Sequence, residues 1–138
     1  MAARDIYHDI VKQSLIKDGW TITHDPFHMK WGAKDMYIDL GASVLLGAEK
    51  TEQKIAVEIK SFVGISEMAE FEKAVGQYVV YDCVLSQTEP ERKLYLAVHE
   101  YIYLNLFEEP IGCLLTERQH IRLLVFDPLK EVIVKWTK

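Results

Sequence analysis

The chain has 138 residues, of which 49% are hydrophobic and 27% are charged, and its net charge is −5. These values predict one globular domain and exclude both a disordered chain and nucleic-acid binding through bulk positive charge. No apolar run approaches the roughly 20 residues of a membrane span, and residues 1–5 are too polar for a signal core. Cys83 and Cys113 make neither a disulfide framework nor a zinc pattern, so we expect a reduced, cytoplasmic setting and two small buried side chains.

The first half of the chain has the pattern of one helix followed by strands. Helical spacing of apolar residues predicts a helix over residues 5–17 that stops at Gly19, and alternation predicts a short strand over 20–23. Runs of aliphatic residues predict two further strands over 36–46 and 54–60, joined by a polar turn. We expect these two strands to pair as an antiparallel hairpin.

A long amphipathic helix is predicted after this hairpin. Ser66 can cap the N-terminus of the helix, which extends to about Leu85. Its spacing predicts a buried stripe formed by Met68, Phe71, Val75, Tyr78 and Val79.

The last third of the chain completes an α/β pattern. Apolar residues alternate over residues 94–98, which predicts a strand. Because this strand follows a helix, we expect a crossover connection from the preceding strand. Residues 100–118 are predicted to be helical with a break near 110–112, and residues 121–126 and 132–136 are predicted to form a C-terminal hairpin. The order α-β-β-β-α-β with additions predicts an α/β fold around a mixed sheet, and the absence of repeats or linkers predicts a single domain over residues 1–138.

Three charged residues on the predicted hairpin are the strongest candidates for chemistry. Asp39 lies on its first strand, while Glu58 and Lys60 share one face of the second strand and Ile59 points to the core. Glu58 interrupts an apolar run, and a charge in such a position needs a partner. Two carboxylates beside a lysine suit Mg²⁺, which polarises a phosphate while the lysine positions the attacking water. The spacing alone leaves a solvated strand edge open as the alternative.

Other candidates carry a weaker signal. Gln77 and Tyr81 are spaced i, i+4 and share a helix face, although Tyr81 alone is typical of a packing residue. His24 and His28 have a zinc-ligand spacing for a helix, but Pro26 between them argues against a helix. The remaining aromatic and basic residues are expected in packing and on a mixed-charge surface; they are Tyr95, Tyr101, Tyr103, Phe107, Arg118, Arg122, Lys130 and Lys135.

The arrangement of these candidates resembles the PD-(D/E)XK nuclease superfamily. Asp39 followed by Glu58-Ile59-Lys60 matches its motif, and the helical segment Gln77-Tyr78-Val79-Val80-Tyr81 is similar to the Gln-x-x-x-Tyr element of the RecB-type branch. The resemblance implies a restriction-endonuclease-like core in which Gln77 and Tyr81 support the site. Ile38 stands where the superfamily name has proline.

The same resemblance implies roles for individual residues. Asp39 and Glu58, with the backbone of Ile59, would hold Mg²⁺ or Mn²⁺, and Lys60 would be the catalytic lysine. The superfamily often has a further acid on its first helix, for which the candidates here are Asp5, His8 and Asp9.

Over nearly its full length the chain more closely resembles the XisH family, the fdxN-element excision controlling factors of cyanobacteria. Residues 19–26, 37–42 and 55–62 carry this resemblance. It implies a role in developmentally programmed DNA excision in heterocysts, beside a site-specific recombinase, XisF, and a companion factor, XisI.

Two functions remain open from the sequence. One is a metal-dependent nuclease acting on DNA, which the acid, acid and lysine set favours. The other is a non-enzymatic excision factor that binds DNA or a partner. The net acidity favours it, as does a length that leaves little room for a DNA-reading module. A homodimer built on the C-terminal hairpin is a third alternative.

Overall fold

The structure is a computed structural model that describes residues 5–137. In chain order its elements are α1 (His8–Lys17), β1 (Thr21–His24), β2 (Phe27–Trp31), β3 (Lys34–Ile38), β4 (Leu40–Leu46), β5 (Thr51–Ile59), α2 (Glu67–Thr88), β6 (Arg92–His99), α3 (Glu100–Ile102) with a π-helical continuation (Tyr103–Phe107), α4 (Pro110–Arg118), β7 (Leu123–Asp127) and β8 (Val132–Trp136). Within the described residues no helix is both long and apolar enough to cross a membrane.

Six strands form one mixed sheet in the order β1-β4-β5-β6-β7-β8. The pairs β5–β6 and β6–β7 are parallel, and the other pairs are antiparallel. Parallel neighbours require crossover connections, which α2 and the α3–α4 segment supply. Strands β2 and β3 form a separate two-stranded ribbon. The predicted mixed α/β fold with a C-terminal hairpin is therefore confirmed.

The sheet has an apolar core on each face. On one face, α2 and the ribbon pack over alternate strand residues such as Ala56 and Leu96. On the other face, α1 packs through Val11 and Leu15 over the residues of opposite parity. Because strand side chains alternate, Glu58 falls on the α2 face.

The buried hydroxyl of Tyr78 connects α2 to the sheet. It donates a hydrogen bond to the carbonyl of Leu94 at 3.1 Å and accepts one from the backbone N–H of Arg122 at 3.0 Å. Burial raises the pKa of Tyr78 to about 12, so the hydroxyl stays protonated and both bonds persist at neutral pH.

The predicted break in the last helical segment is also present, with a specific packing reason. Pro110 begins α4, where its missing N–H carries no penalty. Gly112 lies so close to the preceding π-helical turn that an added Cβ would be 2.2 Å from the carbonyl oxygen of Leu106. Only a glycine permits this approach.

The predicted cap of α2 is present, but the predicted buried stripe and the predicted burial of the cysteines need correction. Ser66 Oγ accepts a hydrogen bond from the N–H of Ala69 at 3.1 Å. The predicted stripe is wrong at Met68 and Val79, which are 43% and 40% exposed, because the helix faces the core through Phe71, Ala74, Tyr78 and Leu85 instead. Cys83 and Cys113 are exposed free thiols rather than buried residues.

Two strand predictions also differ from the structure. The predicted strand 36–46 is interrupted at Asp39, which separates β3 from β4. Strand β2 was not predicted, although Phe27 and Met29 alternate with polar residues and are buried.

The prediction that aromatic side chains pack in the core holds for Tyr95 and Phe107 but not for Tyr101, which is exposed.

Both edges of the main sheet are short and irregular. At one edge β1 has four residues, and its register with β4 shifts between Ile22 and His24. At the other edge, β8 has five residues and carries Lys135, and the β7–β8 register shifts between Val125 and Phe126.

Candidate functional site

A cavity of about 570 Å³ contains all the residues predicted to form a site. It lies where the N-terminus of α1, the β3–β4 junction, the end of β5 and one face of α2 meet. The predicted residues on its wall are Asp39, Glu58, Ile59, Lys60, Gln77 and Tyr81. The wall also includes Asp5, His8, Asp25, Pro26, Tyr37, Ile38 and Lys73.

Asp39 and Glu58 meet because strand β4 begins one residue after Asp39. Leu40 pairs with Val57, so Asp39 lies beyond the last pair, beside Glu58 and Ile59. The N–H of Asp39 donates to Glu58 Oε1 at 3.3 Å, and the N–H of Ile59 donates to Asp39 Oδ2 at 2.7 Å. Ile59 pairs with Ala97 of β6 but has no strand partner on the β4 side, where the side chain of Asp39 takes that place, which fixes the carboxylate at the cavity wall.

A backbone hydrogen bond at the end of the β5–β6 pairing places Lys60 on the same wall. Its N–H donates to the carbonyl of Ala97 at 3.1 Å, and its Nζ lies 3.6 Å from Glu58 Oε2. Glu58 and Lys60 are two residues apart and therefore point to the same side of the sheet, as the sequence predicted.

The two carboxyl groups lie in an environment that disfavours their joint ionisation. Burial, together with the neighbouring charge of Asp39, raises the pKa of Glu58 to about 8, against the opposing effect of Lys60. Burial also raises the pKa of Asp39, although the hydrogen bond from Ile59 opposes the change. At neutral pH the pair therefore retains a proton, and a bound cation would displace this proton and allow both carboxyl groups to ionise.

The face of α2 supplies Gln77 and Tyr81, at the positions that the i, i+4 spacing predicted. Burial and the charges of Glu58 and Asp39 raise the pKa of the Tyr81 hydroxyl, which stays protonated at neutral pH. Gln77 Oε1 is buried and has no hydrogen-bond partner among residues 5–137. Both side chains are therefore polar groups available to a bound molecule.

A second polar cluster on the cavity wall comes from the N-terminal part of the chain. His8 is 3% exposed, and its Nε2 lies 2.7 Å from Asp25 Oδ1, while Lys12 Nζ donates to Asp25 Oδ2 at 2.8 Å. Burial acts to raise the pKa of Asp25, but the hydrogen bonds from Lys12 and His8 outweigh it and hold the pKa below its ordinary value. Asp25 is thus a fixed anion beside His8.

The three candidates for the further acid have different positions. Asp5 and His8 line the cavity, and Asp5 Oδ2 accepts a hydrogen bond from the N–H of Ser61 at 3.0 Å. Asp9 is exposed on α1 and is not part of the wall. Asp25, Tyr37 and Lys73 also line the cavity but do not stand out in the sequence, except that Asp25 is an acid directly after a predicted strand.

The donor set can be tested against a divalent cation. Over residues 5–137 there is no group of three or more His, Cys, Asp or Glu side chains placed to hold a metal ion. His24 and His28 are not a ligand pair, since His28 Nε2 contacts Asp35 Oδ1 at 2.7 Å and His24 packs on the Phe27 ring. Asp39 and Glu58 fit Mg²⁺ or Mn²⁺, because these ions need few hard oxygen donors and their charge would offset the second carboxylate once its proton is displaced.

Comparisons with known proteins point to one family. The family model described as XisH protein matches residues 1–134. A crystal structure of an XisH family protein from Nostoc punctiforme PCC 73102 is 36% identical with a TM-score of 0.87, and it covers 97% of this chain and 100% of its own. The structure of an fdxN element excision controlling factor protein from Anabaena variabilis is 37% identical with a TM-score of 0.87, covering 98% of this chain and 100% of its own. A search of the curated proteins gives no match.

Proposed function

Because the chain belongs to the XisH family, we propose that it is an excision controlling factor for programmed DNA excision, with an Mg²⁺-dependent phosphodiester-cleavage site. The observation that carries this proposal is the meeting of Asp39, Glu58 and Lys60 on one cavity wall. The solved relative from Anabaena variabilis bears the name of an excision controlling factor, which supports the first half of the proposal.

The fold supports a nuclease core of the PD-(D/E)XK type. When the β2–β3 ribbon is set aside, the elements follow the order α1-β1-β4-β5-α2-β6. Asp39 precedes β4, Glu58 and Lys60 end β5, and Gln77 and Tyr81 lie on α2. This is the placement that the resemblance implies for the metal ligands, the catalytic lysine and the supporting helix.

Asp39, Glu58 and the carbonyl of Ile59 would hold the cation. The N–H of Ile59 points to Asp39, and a strand residue directs its N–H and its carbonyl to the same side, so the carbonyl faces the same edge. When bound, Mg²⁺ or Mn²⁺ neutralises charge on a phosphate oxygen and makes a coordinated water more acidic.

The remaining residues act on the phosphodiester directly. Lys60 Nζ can donate to the attacking water or to a phosphate oxygen, because among the described residues its ion-pair partner is Glu58, at a loose 3.6 Å. The Tyr81 hydroxyl and the Gln77 amide can donate hydrogen bonds to phosphate oxygens. Lys73, farther along the wall, adds a positive charge for the neighbouring phosphate.

Cleavage assays test the catalytic half of the proposal. Purified chain is incubated with plasmid, linear duplex and single-stranded DNA, with Mg²⁺, Mn²⁺ or a chelator. We expect metal-dependent cleavage that Asp39→Ala and Lys60→Ala each reduce at least about 100-fold. Glu72→Gln, which removes an exposed acid of α2, is the matched control and should cleave as the wild type does. Cleavage that survives both site variants would come from a contaminant and would refute the proposal.

A non-catalytic role is the second candidate. The net charge of −5 and the presence of only two carboxylate ligands favour a factor that uses this fold to bind DNA or a partner. The XisH resemblance points to XisI and the recombinase XisF as partners. Co-purification with XisI that persists in Lys60→Ala, with no cleavage by the wild type, would support this role. Light scattering would show whether the chain is a homodimer.

A further inference from the structure

The β2–β3 ribbon projects beside the cavity and is built to contact something other than the protein core. Its register pairs His28 with Tyr37 and Lys30 with Asp35 on one face. Its other face buries Phe27 and Met29 against α2. The core therefore uses only the base of the ribbon.

The tip of the ribbon extends beyond this core. Trp31 lies on the same face as Phe27 and Met29 by strand alternation, yet it is 54% exposed. Lys34 lies directly opposite Trp31 and is also exposed. An exposed aromatic ring beside positive charges is the combination on which the bases and phosphates of single-stranded nucleic acids bind.

The ribbon is basic in an acidic chain. Residues 27–38 contain two lysines and one acid, whereas the whole chain has a net charge of −5. The acid, Asp35, is contacted by His28 Nε2 at 2.7 Å. In the part of the chain that the structure describes, Lys30 and Lys34 form no ion pair, so both charges are available to a polyanion.

This surface is continuous with the cavity. Tyr37 lines the cavity, and its ring centroid lies 5.0 Å from that of His28, with 31° between the planes. Trp31 is three residues beyond His28 on the same strand, a distance of about 10 Å. A strand leaving the cavity would therefore pass Tyr37 first, and it would reach Trp31 by crossing to the opposite face of the ribbon.

We propose that the ribbon binds DNA with unpaired bases, either a single strand or the open arm of a branched molecule, and guides it into the cavity. The bases would stack on Tyr37 and Trp31, and the phosphates would contact Lys30 and Lys34. Trp31 and Lys34 lie on the opposite face from Tyr37 and Lys30, so a bound strand must pass around the ribbon. A single strand can make this turn and offers base faces, whereas an intact duplex is stiff and its bases are already stacked.

The proposal rests on the proposed function for its substrate, and binding assays separate the two. Fluorescence anisotropy is measured with labelled single-stranded, forked and blunt duplex DNA of one sequence, in chelator so that no cleavage occurs. We expect Trp31→Ala to weaken single-strand binding about 5- to 150-fold, with Trp31→Phe retaining most of the affinity. Quenching of tryptophan fluorescence by the single strand should be lost in Trp31→Phe.

Charge reversal tests the phosphate contacts. A double variant that carries Lys30→Glu and Lys34→Glu should reduce the slope of log affinity against log salt concentration by about 1.4. Each phosphate contact to a single strand contributes about 0.7 to this slope. Lys93→Glu with Lys130→Glu changes the net charge equally at exposed sites away from the ribbon and is the matched control.

Three outcomes would overturn the proposal: ribbon variants that bind single strands as the wild type does, equal weakening by the control pair, or tighter binding of blunt duplex than of single strand. A dimer that Trp31→Ala converts to a monomer would also overturn it, since the ribbon would then be an interface between copies. Ribbon-dependent binding without cleavage by the wild type would support the proposal while refuting the nuclease site.

Discussion

Replacing Glu58 by glutamine should change how the stability of the protein depends on pH. Glu58 is 7% exposed, and its pKa in the folded chain is raised from 4.5 to about 8. Between these values the folded chain holds a proton that the unfolded chain has released. Unfolding therefore becomes easier as the pH rises, and stability present below about pH 4.5 is lost progressively towards pH 8.

The size of this loss follows from the two pKa values. Between pH 5 and pH 8 the linkage for this one carboxyl amounts to about 3–4 kcal/mol. For a chain of this length such a loss lowers the midpoint of thermal unfolding by about 10 °C. Glu58→Gln cannot ionise, so it should lack this component and be more stable than the wild type at pH 8.

The assay is urea or thermal unfolding followed by circular dichroism at pH 5, 6.5 and 8, in chelator. The quantity of interest is the difference in unfolding free energy between wild type and Glu58→Gln at each pH, because every other titrating group is common to both. Glu72→Gln, an exposed acid on α2, is the control and should track the wild type. A difference that does not grow with pH would refute the account of two buried carboxyl groups sharing one lysine.

Three further results are expected. At pH 8, Mn²⁺ at about 100 times its Kd should stabilise the wild type by about 2.7 kcal/mol, and Asp39→Asn should abolish this gain; an equal gain in the variant would place the ion elsewhere. Tyr78→Phe should cost about 1–3 kcal/mol in urea unfolding, because it leaves the N–H of Arg122 without its acceptor, and an unchanged midpoint would contradict that. Gly112→Ala should destabilise by about 1–3 kcal/mol or more, whereas Gly76→Ala, where a Cβ meets nothing within 4 Å, should stabilise the helix by about 0.5–1 kcal/mol. Similar unfolding midpoints for the two alanine variants would contradict the packing at the π-helical turn.

The placement of the candidate site could be predicted because it depends on local periodicity. Alternation fixes Glu58 and Lys60 on one side of β5, and the i, i+4 spacing fixes Gln77 and Tyr81 on one side of α2. The antiparallel pairing of β4 with β5 then brings Asp39 to Glu58. None of these steps requires knowledge of distant contacts beyond one hairpin.

What the sequence did not reveal depends on packing between distant segments. Asp25 contacts His8 and Lys12 of α1 at the cavity wall, and no spacing in the sequence encodes that meeting. Met68 and Val79 are exposed because α2 faces the core through Phe71, Ala74, Tyr78 and Leu85, and this orientation is set by contacts with distant strands. Strand β2 carried a readable alternation, but its five residues are short enough to be read as loop.

The irregular margins of the main sheet limit how copies of this protein can associate. A long, flat outer strand offers unpaired N–H and carbonyl groups on which another molecule can add a strand and begin to aggregate. Here the edge strand β1 is only four residues long with a shifted register, and the edge strand β8 also has a register shift and carries Lys135. Such edges discourage edge-to-edge addition of a strand from a second copy, so the main sheet of one molecule is not readily continued by another.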